Sequence, residues 1–145
     1  IALALARESV AAITVCGNDE DAGRELIEML QGVSDTSVNC VVWEGDLPVD
    51  DDVQLVIHAP EPGAVDPTEE IALSTETLRP EMLLADMCLG SPTTAFLRSG
   101  LACGCQVLQG QQLLVSQWVE CVRLWTGSEP AGDVMREALE EYLGL

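Results

Sequence analysis

Apolar residues fall in short blocks along this chain, separated by polar stretches and by glycine and proline. The blocks alternate between strand-like and helix-like spacing. Ile1 to Arg7 reads as the end of a helix, apolar nearly throughout, with no cap before it, so the pattern is expected to begin further upstream. Ala12 to Cys16 is a short strand-like run that ends at Gly17-Asn18-Asp19. Asp19 is placed to cap a helix with Leu26, Ile27, Met29 and Leu30 as its buried stripe and Gly32 as its stop. Val38 to Trp43 is the next strand, followed by the acidic loop Glu44 to Asp52. Val53 to Ala59 is the most strand-like run, and its consecutive apolar residues predict a strand covered on both faces.

Pro60, Pro62, Gly63 and Pro67 then forbid regular structure and make a long loop. Met82 to Met87 is another continuous strand, interrupted only by Asp86 at its carboxyl end. Pro92 to Gly100 reads as helix, Cys105 to Leu108 as a short strand, and Gly110 opens a long helix to about Thr126. Ser128 is expected to cap a last helix, with Pro130 in its first turn and Val134, Met135, Ala138, Leu139 and Leu143 as its apolar stripe.

Strands alternating with helices imply parallel pairing, and hence an α/β, doubly wound, Rossmann-like domain spanning residues 1–145. Ligands of such sheets sit beyond the carboxyl ends of the strands. The stretches Gly17 to Asp21, Ala59 to Gly63, Met87 to Ser91 and Gln109 to Gln112 are therefore the places to seek function.

Composition narrows the classes. Twenty-five acidic residues face six basic ones, all arginine, for a formal net charge of −19 over 145 residues. That surface repels nucleic acid and anionic membrane, and no basic patch reverses it locally. No run approaches the roughly 20 apolar residues of a membrane span, so a soluble, cytoplasmic domain is expected. Six cysteines raise the question of zinc or disulfides. Only Cys103-Gly104-Cys105 resembles a ligand pair, and no second pair or nearby histidine completes it, so buried thiols and no metal are expected.

Several motifs resemble those of shikimate dehydrogenases. The opening Ile1-Ala2-Leu3-Ala4-Leu5-Ala6 resembles the helix after that family's glycine-rich loop. Leu55-Val56-Ile57-His58-Ala59-Pro60 resembles a strand of the form V-I-N-A-T, and Leu78-Arg79-Pro80 with Leu84-Ala85-Asp86-Met87 resembles L-x-P-x-x-x-x-A-D. Gly104-Cys105, Gln109-Gly110 and Leu113-Leu114-Val115-Ser116-Gln117 resemble G-C-x-x-x-D-G-x-x-M-L-V-x-Q. Leu124-Trp125-Thr126-Gly127 and Val134-Met135-Arg136-Glu137-Ala138-Leu139 resemble the closing helices. The resemblance runs in order over the whole chain.

It implies the nucleotide-binding half of an oxidoreductase that reduces 3-dehydroshikimate to shikimate with NAD or NADP, lacking here its first strand and glycine loop. A separate N-terminal substrate domain would carry the catalytic lysine and aspartate, and this chain, without lysine, carries neither role. Gly110 matches the glycine whose backbone meets the nicotinamide carboxamide, and Met87 matches a residue lining the nicotinamide pocket. Gln117 matches the glutamine that hydrogen-bonds the hydroxyacid substrate, a task suited to an amide, which both donates and accepts. Without the pattern, Gln117 would read as a solvated helix position and Met87 as core.

Departures from the pattern bear on chemistry. Gly17-Asn18-Asp19-Glu20-Asp21 stands where NADP-binding members carry N-R-T. A carboxylate beside the ribose accepts its hydroxyls and repels a 2′-phosphate, so Asn18 and Asp19 favour NAD; the plainer reading of Asp19 is a helix cap. Leu89 replaces a substrate-contacting tyrosine, which opens the substrate to quinate or a related hydroxyacid. His58 replaces the strand asparagine and, without a partner in motif spacing, reads as structural. A non-catalytic scaffold or partner-binding domain is the alternative from another class.

Overall fold

In the computed structural model Asp19 caps the helix that follows it, as its position suggests: one carboxylate oxygen accepts from the Asp21 and Ala22 amides, both at 3.0 Å. The structure describes residues 1–43, 45–60, 66, 68, 71 and 73–144. Two compact units divide it, Ile1–Leu47 and Pro48–Leu145.

In the first unit, helix α1 (Ala2–Arg7) precedes strand β1 (Ala12–Gly17), helix α2 (Glu20–Gln31) and strand β2 (Ser37–Val42). The strands pair in parallel, from Ala12 opposite Ser37 to Gly17 opposite Val42, which makes β1–α2–β2 a crossover unit. Side chains stitch the ends together. Ser34 Oγ donates to the Ala6 carbonyl at 2.9 Å, and Thr36 Oγ1 donates to the Val10 carbonyl at 3.0 Å. The buried stripe of α2 differs from expectation: Gly23 and Leu30 are buried, Leu26 and Ile27 half-buried, and Met29 is 56% exposed. The reason is close packing. A Cβ on Gly23 would come within 2.3 Å of Cys40 Sγ, so β2 is met by the glycine side of the helix and Met29 turns away.

The second unit holds strands β3 (Leu55–His58), β4 (Leu83–Asp86) and β5 (Gln106–Leu108), with helices α3 (Ala95–Ala102), α4 (Gly110–Thr126) and α5 (Gly132–Leu143). Its sheet runs β3-β4-β5, parallel throughout. β4 is central and meets the expectation of burial, with Leu84, Ala85 and Asp86 all buried. β3, expected to be covered on both faces, is an edge of this sheet and leaves Leu55 36% exposed. The core collects Val49, Leu78, Met82, Leu84, Phe96, Leu97 and Cys105. Leu84 and Leu97 are essentially fully buried, a setting in which truncation to alanine costs about 2–5 kcal/mol.

Both helix starts expected from proline shift downstream. Helix α3 begins after Thr94, whose hydroxyl accepts from the Leu97 amide, and not at Pro92. Helix α5 begins after Ala131, and Ser128 instead donates its amide to Thr126 Oγ1 at 3.1 Å. Gly127, in the left-handed region at φ 69°, ends α4 just before it. Of the stripe read for α5, Leu139 is buried, Met135 and Leu143 are half-buried, and Val134 is 59% exposed. The proline-rich stretch before Thr68 falls largely outside the described residues, Pro62, Gly63 and Pro67 among them.

Candidate functional site

Two parallel strands that end in register bring their last residues together. His58 closes β3, Asp86 closes β4, and the two are paired in the ladder. The next rung continues past the strand ends, where the Met87 amide donates to the His58 carbonyl at 2.9 Å. The side chains meet as well, with His58 Nδ1 3.1 Å from Asp86 Oδ1. His58, which has no partner in motif spacing, finds an acidic one 28 residues away in sequence and one strand away in space.

Asp86 is only 1% exposed and is saturated with donors. Oδ1 accepts from the Cys88 amide at 2.9 Å, and Oδ2 accepts from the Thr94 hydroxyl at 2.5 Å. Burial pushes its pKa up, but the bonds from Thr94 and Cys88, with His58 beside it, outweigh burial and hold the carboxyl below its ordinary value. Cys88 responds oppositely. Burial, then the hydrogen bond to Asp86 and its charge, push the thiol up to about 11. Phe96 flanks the imidazole, with ring centroids 5.6 Å apart and planes tilted by 48°.

His58, Asp86 and Cys88 each offer a ligand atom within 4.8 Å of the others. As they stand they form a hydrogen-bonded network in which both Asp86 oxygens accept. The Cys103–Cys105 pair is likewise directed inward: Cys103 Sγ donates to the Thr75 carbonyl at 3.6 Å and Cys105 Sγ to the Arg79 carbonyl at 3.2 Å.

Gly110 packs on the same strand end. A Cβ there would lie 2.3 Å from the Cys88 carbonyl oxygen and 3.0 Å from that of Asp86, so helix α4 starts as close to the end of β4 as a backbone allows. Gln111 locks this approach. It is 4% exposed, and its amide nitrogen donates to the Leu89 carbonyl at 2.7 Å, leaving Oε1 without a partner. The structure thus joins Met87, Leu89 and Gly110 around one strand end. Met87 is half-buried, and Leu89 is 38% exposed.

Gln117 lies elsewhere on α4, about two turns beyond Gly110 on the same side of the helix. It is exposed, and with Trp118, Cys121, Val122 and Trp125 it lines an open hollow of about 340 Å³. Asn18 and Asp19 belong to the first unit. Asp19 uses Oδ1 as the cap, and one turn later Arg24 pairs with Asp21 at 2.9 Å, so the acidic corner has a cation already engaged. Two features escaped sequence reasoning: Thr94, and His58 as half of a pair; Gln111 was reached only as part of the Gln109 to Gln112 stretch. The available signal was that His58 and Asp86 each close an apolar strand-like run.

No family model matches the chain. Among characterised proteins it is similar to the shikimate dehydrogenase (NADP(+)) of Archaeoglobus fulgidus, 30% identical over 128 residues, which are 87% of this chain and 46% of the relative. The fold matches the ligand-free 5-ketofructose reductase of Gluconobacter sp. strain CHM43 with a TM-score of 0.92 and 27% identity, over 98% of this chain and 51% of the other. The quinate dehydrogenase of Corynebacterium glutamicum in complex with NAD matches at 0.79 and 25% identity, over 99% of this chain and 50% of the other. The chain spans about half the length of the relatives it matches.

Proposed function

From the premise that this chain belongs to the shikimate dehydrogenase family, we propose that it is the nucleotide-binding half of an NAD(P)H-dependent oxidoreductase acting on a small hydroxylated substrate. The observation that carries this reading is the convergence of Met87, Leu89 and Gly110 at the carboxyl end of β4, where parallel sheets bind ligands. Gly110 would let a nicotinamide carboxamide approach the helix backbone, and Met87 would line the ring. The cofactor supplies the hydride when bound; the residues here orient it and exclude water. Nothing in this chain serves as the lysine–aspartate acid-base pair that the family resemblance implies, and a substrate-binding half would bring it. Such a half would also cover the apolar side of α4, where Trp125 is 79% and Trp118 41% exposed, and would bring substrate to Gln117.

Reduction of 3-dehydroshikimate to shikimate is the first reading of the substrate. Leu89 in place of the tyrosine of the family motif, together with the likeness to a 5-ketofructose reductase and a quinate dehydrogenase, favours a second one: quinate, a related hydroxyacid or another polyhydroxylated substrate. For the cofactor, the acidic Asn18–Asp21 corner favours NAD over NADP, although Asp19 is also the α2 cap and Arg24 stands nearby.

Titration of the chain with NADH and with NADPH, followed by nucleotide fluorescence, tests the binding. Saturable binding, tighter for NADH, is the expected result. Failure of both nucleotides to bind the folded chain would favour a scaffold or partner-binding role, and tighter NADPH binding would overturn the cofactor preference. With a substrate half present, oxidation of the nucleotide by 3-dehydroshikimate, 3-dehydroquinate or 5-ketofructose separates the substrates.

A further inference from the structure

We propose that His58 presents its Nε2 atom as a hydrogen-bond acceptor to the ligand bound beyond β3 and β4, its tautomer and ring orientation fixed by Asp86. This inference rests on the reading that the strand-end crevice binds a ligand, and it adds a residue that the resemblance does not assign.

The argument begins with proton bookkeeping around Asp86. Thr94 Oγ1 accepts from the Leu97 amide and spends its single proton on Asp86 Oδ2. The Cys88 amide can only donate, and it points to Oδ1 at 2.9 Å. Both carboxylate oxygens therefore accept, and these bonds hold the carboxyl below its ordinary pKa and so ionised at neutral pH, which makes the group 3.1 Å from Oδ1 the donor. His58 Nδ1 consequently carries the proton. In the neutral ring Nε2 then holds the lone pair, the same division of labour that an aspartate imposes on a histidine in acid-base sites.

Nε2 is also available. It makes no hydrogen bond among the described residues, and the only buried side-chain nitrogen or oxygen there without a partner is Gln111 Oε1. The side chain is 16% exposed, and Nε2 is not among the buried atoms without a partner, so it is open to solvent. Packing against Phe96 and the bond to Asp86 together remove the ring's freedom to turn. A histidine serving only the core would bury Nε2 against a donor. This one offers a fixed acceptor at the carboxyl end of β3, beside the strand end that Gly110 closes. The complementary chemistry is a polar hydrogen, either the amide N–H of a nicotinamide carboxamide or a hydroxyl of a polyhydroxylated substrate.

His58 is the only histidine of these 145 residues, which makes ¹⁵N NMR of the imidazole unambiguous in this chain. The apo protein is expected to show the Nδ1–H tautomer, and an Nε2–H tautomer would overturn the proposal. NADH and shikimate, added separately, are the probes. An upfield move of the Nε2 resonance with NADH assigns the contact to the carboxamide, and a move with shikimate alone assigns it to a substrate hydroxyl. No move with either overturns the inference; nucleotide fluorescence in the same sample shows whether cofactor binding has failed with it or survives alone. His58→Phe keeps an aromatic ring against Phe96 but removes the acceptor. Where the NADH arm is positive, it should weaken NADH binding about fivefold, as loss of one neutral hydrogen bond does. Unchanged affinity in a folded His58→Phe would overturn the carboxamide contact.

Discussion

Replacing Gly110 with alanine tests how tightly α4 is joined to the end of β4. The added Cβ would stand 2.3 Å from the Cys88 carbonyl oxygen, 3.0 Å from the Cys88 carbonyl carbon and 3.0 Å from the Asp86 oxygen. All three are backbone atoms, so no side chain can swing aside. The segment cannot yield cheaply either. Cys88 is tied through its amide to Asp86, and the next carbonyl, that of Leu89, is held by Gln111 at 2.7 Å. Overpacking of this kind costs about 1–3 kcal/mol, and a forced backbone shift belongs at the upper end. Alanine regains up to about 1 kcal/mol of helix propensity, which leaves a net loss of about 2 kcal/mol. For a chain of this size that is a Tm lower by roughly 4–8 °C.

Gly132→Ala is the matched control. It also lies in the first turn of a helix, but its new Cβ would meet only Val119 Cγ2 at 3.4 Å. It should be neutral or stabilising by up to about 1 kcal/mol. Thermal and urea unfolding followed by circular dichroism and tryptophan fluorescence reads both variants, since Trp118 and Trp125 lie on α4 itself. A Gly110→Ala protein as stable as the parent, or a Gly132→Ala protein equally damaged, would refute the claim that close backbone approach fixes the glycine.

Asp86→Asn keeps the shape but puts an amide donor among three donors, and it should lower stability at neutral pH by about 2–4 kcal/mol. Because the folded carboxyl lies below its unfolded value, its contribution is present above about pH 3.9 and is lost as pH falls through the lower folded value. The variant should therefore show a shallower acid limb in urea titrations; parallel limbs would sink the assignment. The Cys88 thiol, at about 11, should alkylate at pH 8 about two orders of magnitude more slowly than in urea-unfolded protein, because only the thiolate reacts. Mass-spectrometric mapping of iodoacetamide labelling measures this, and equal rates would show that the thiol is not held by Asp86.

Elements were legible where one local cause decides them. Asp19 followed by an amphipathic run can hardly do anything but cap, and the continuous run at Leu83–Asp86 is buried as such runs are. Helix starts at Thr94 and Ala131 were harder because several competent residues stand in a row. Ser91, Pro92, Thr93 and Thr94 could each open a helix, and only the demand of Asp86 for a hydroxyl explains why Thr94 does. Ser128 is not the cap because α5 starts three residues further on, after Ala131. Met29 satisfied the period yet faces outward, since Gly23 on the same helix makes the close approach; Val134 also faces outward, at 59% exposure, with no such glycine contact on its helix. Hydrophobic period finds a face; it does not say whether the largest or the smallest residue on that side meets the neighbour.

The site itself was half legible for a related reason. Gly110, Met87 and Leu89 sit beside turns that the sequence marks, so the rule that ligands gather at strand ends reached them. His58 and Asp86 are joined by register alone, a relation with no local signature. Yet register follows from something readable. Each is the polar residue near the carboxyl end of an apolar run, Val53 to Ala59 and Met82 to Met87, and the parallel strands within those runs pair end with end. A polar residue closing each of two such runs should therefore be weighed as a pair before either is weighed alone. On that rule the histidine that looked solitary has its carboxylate, and its remaining nitrogen becomes the atom to probe.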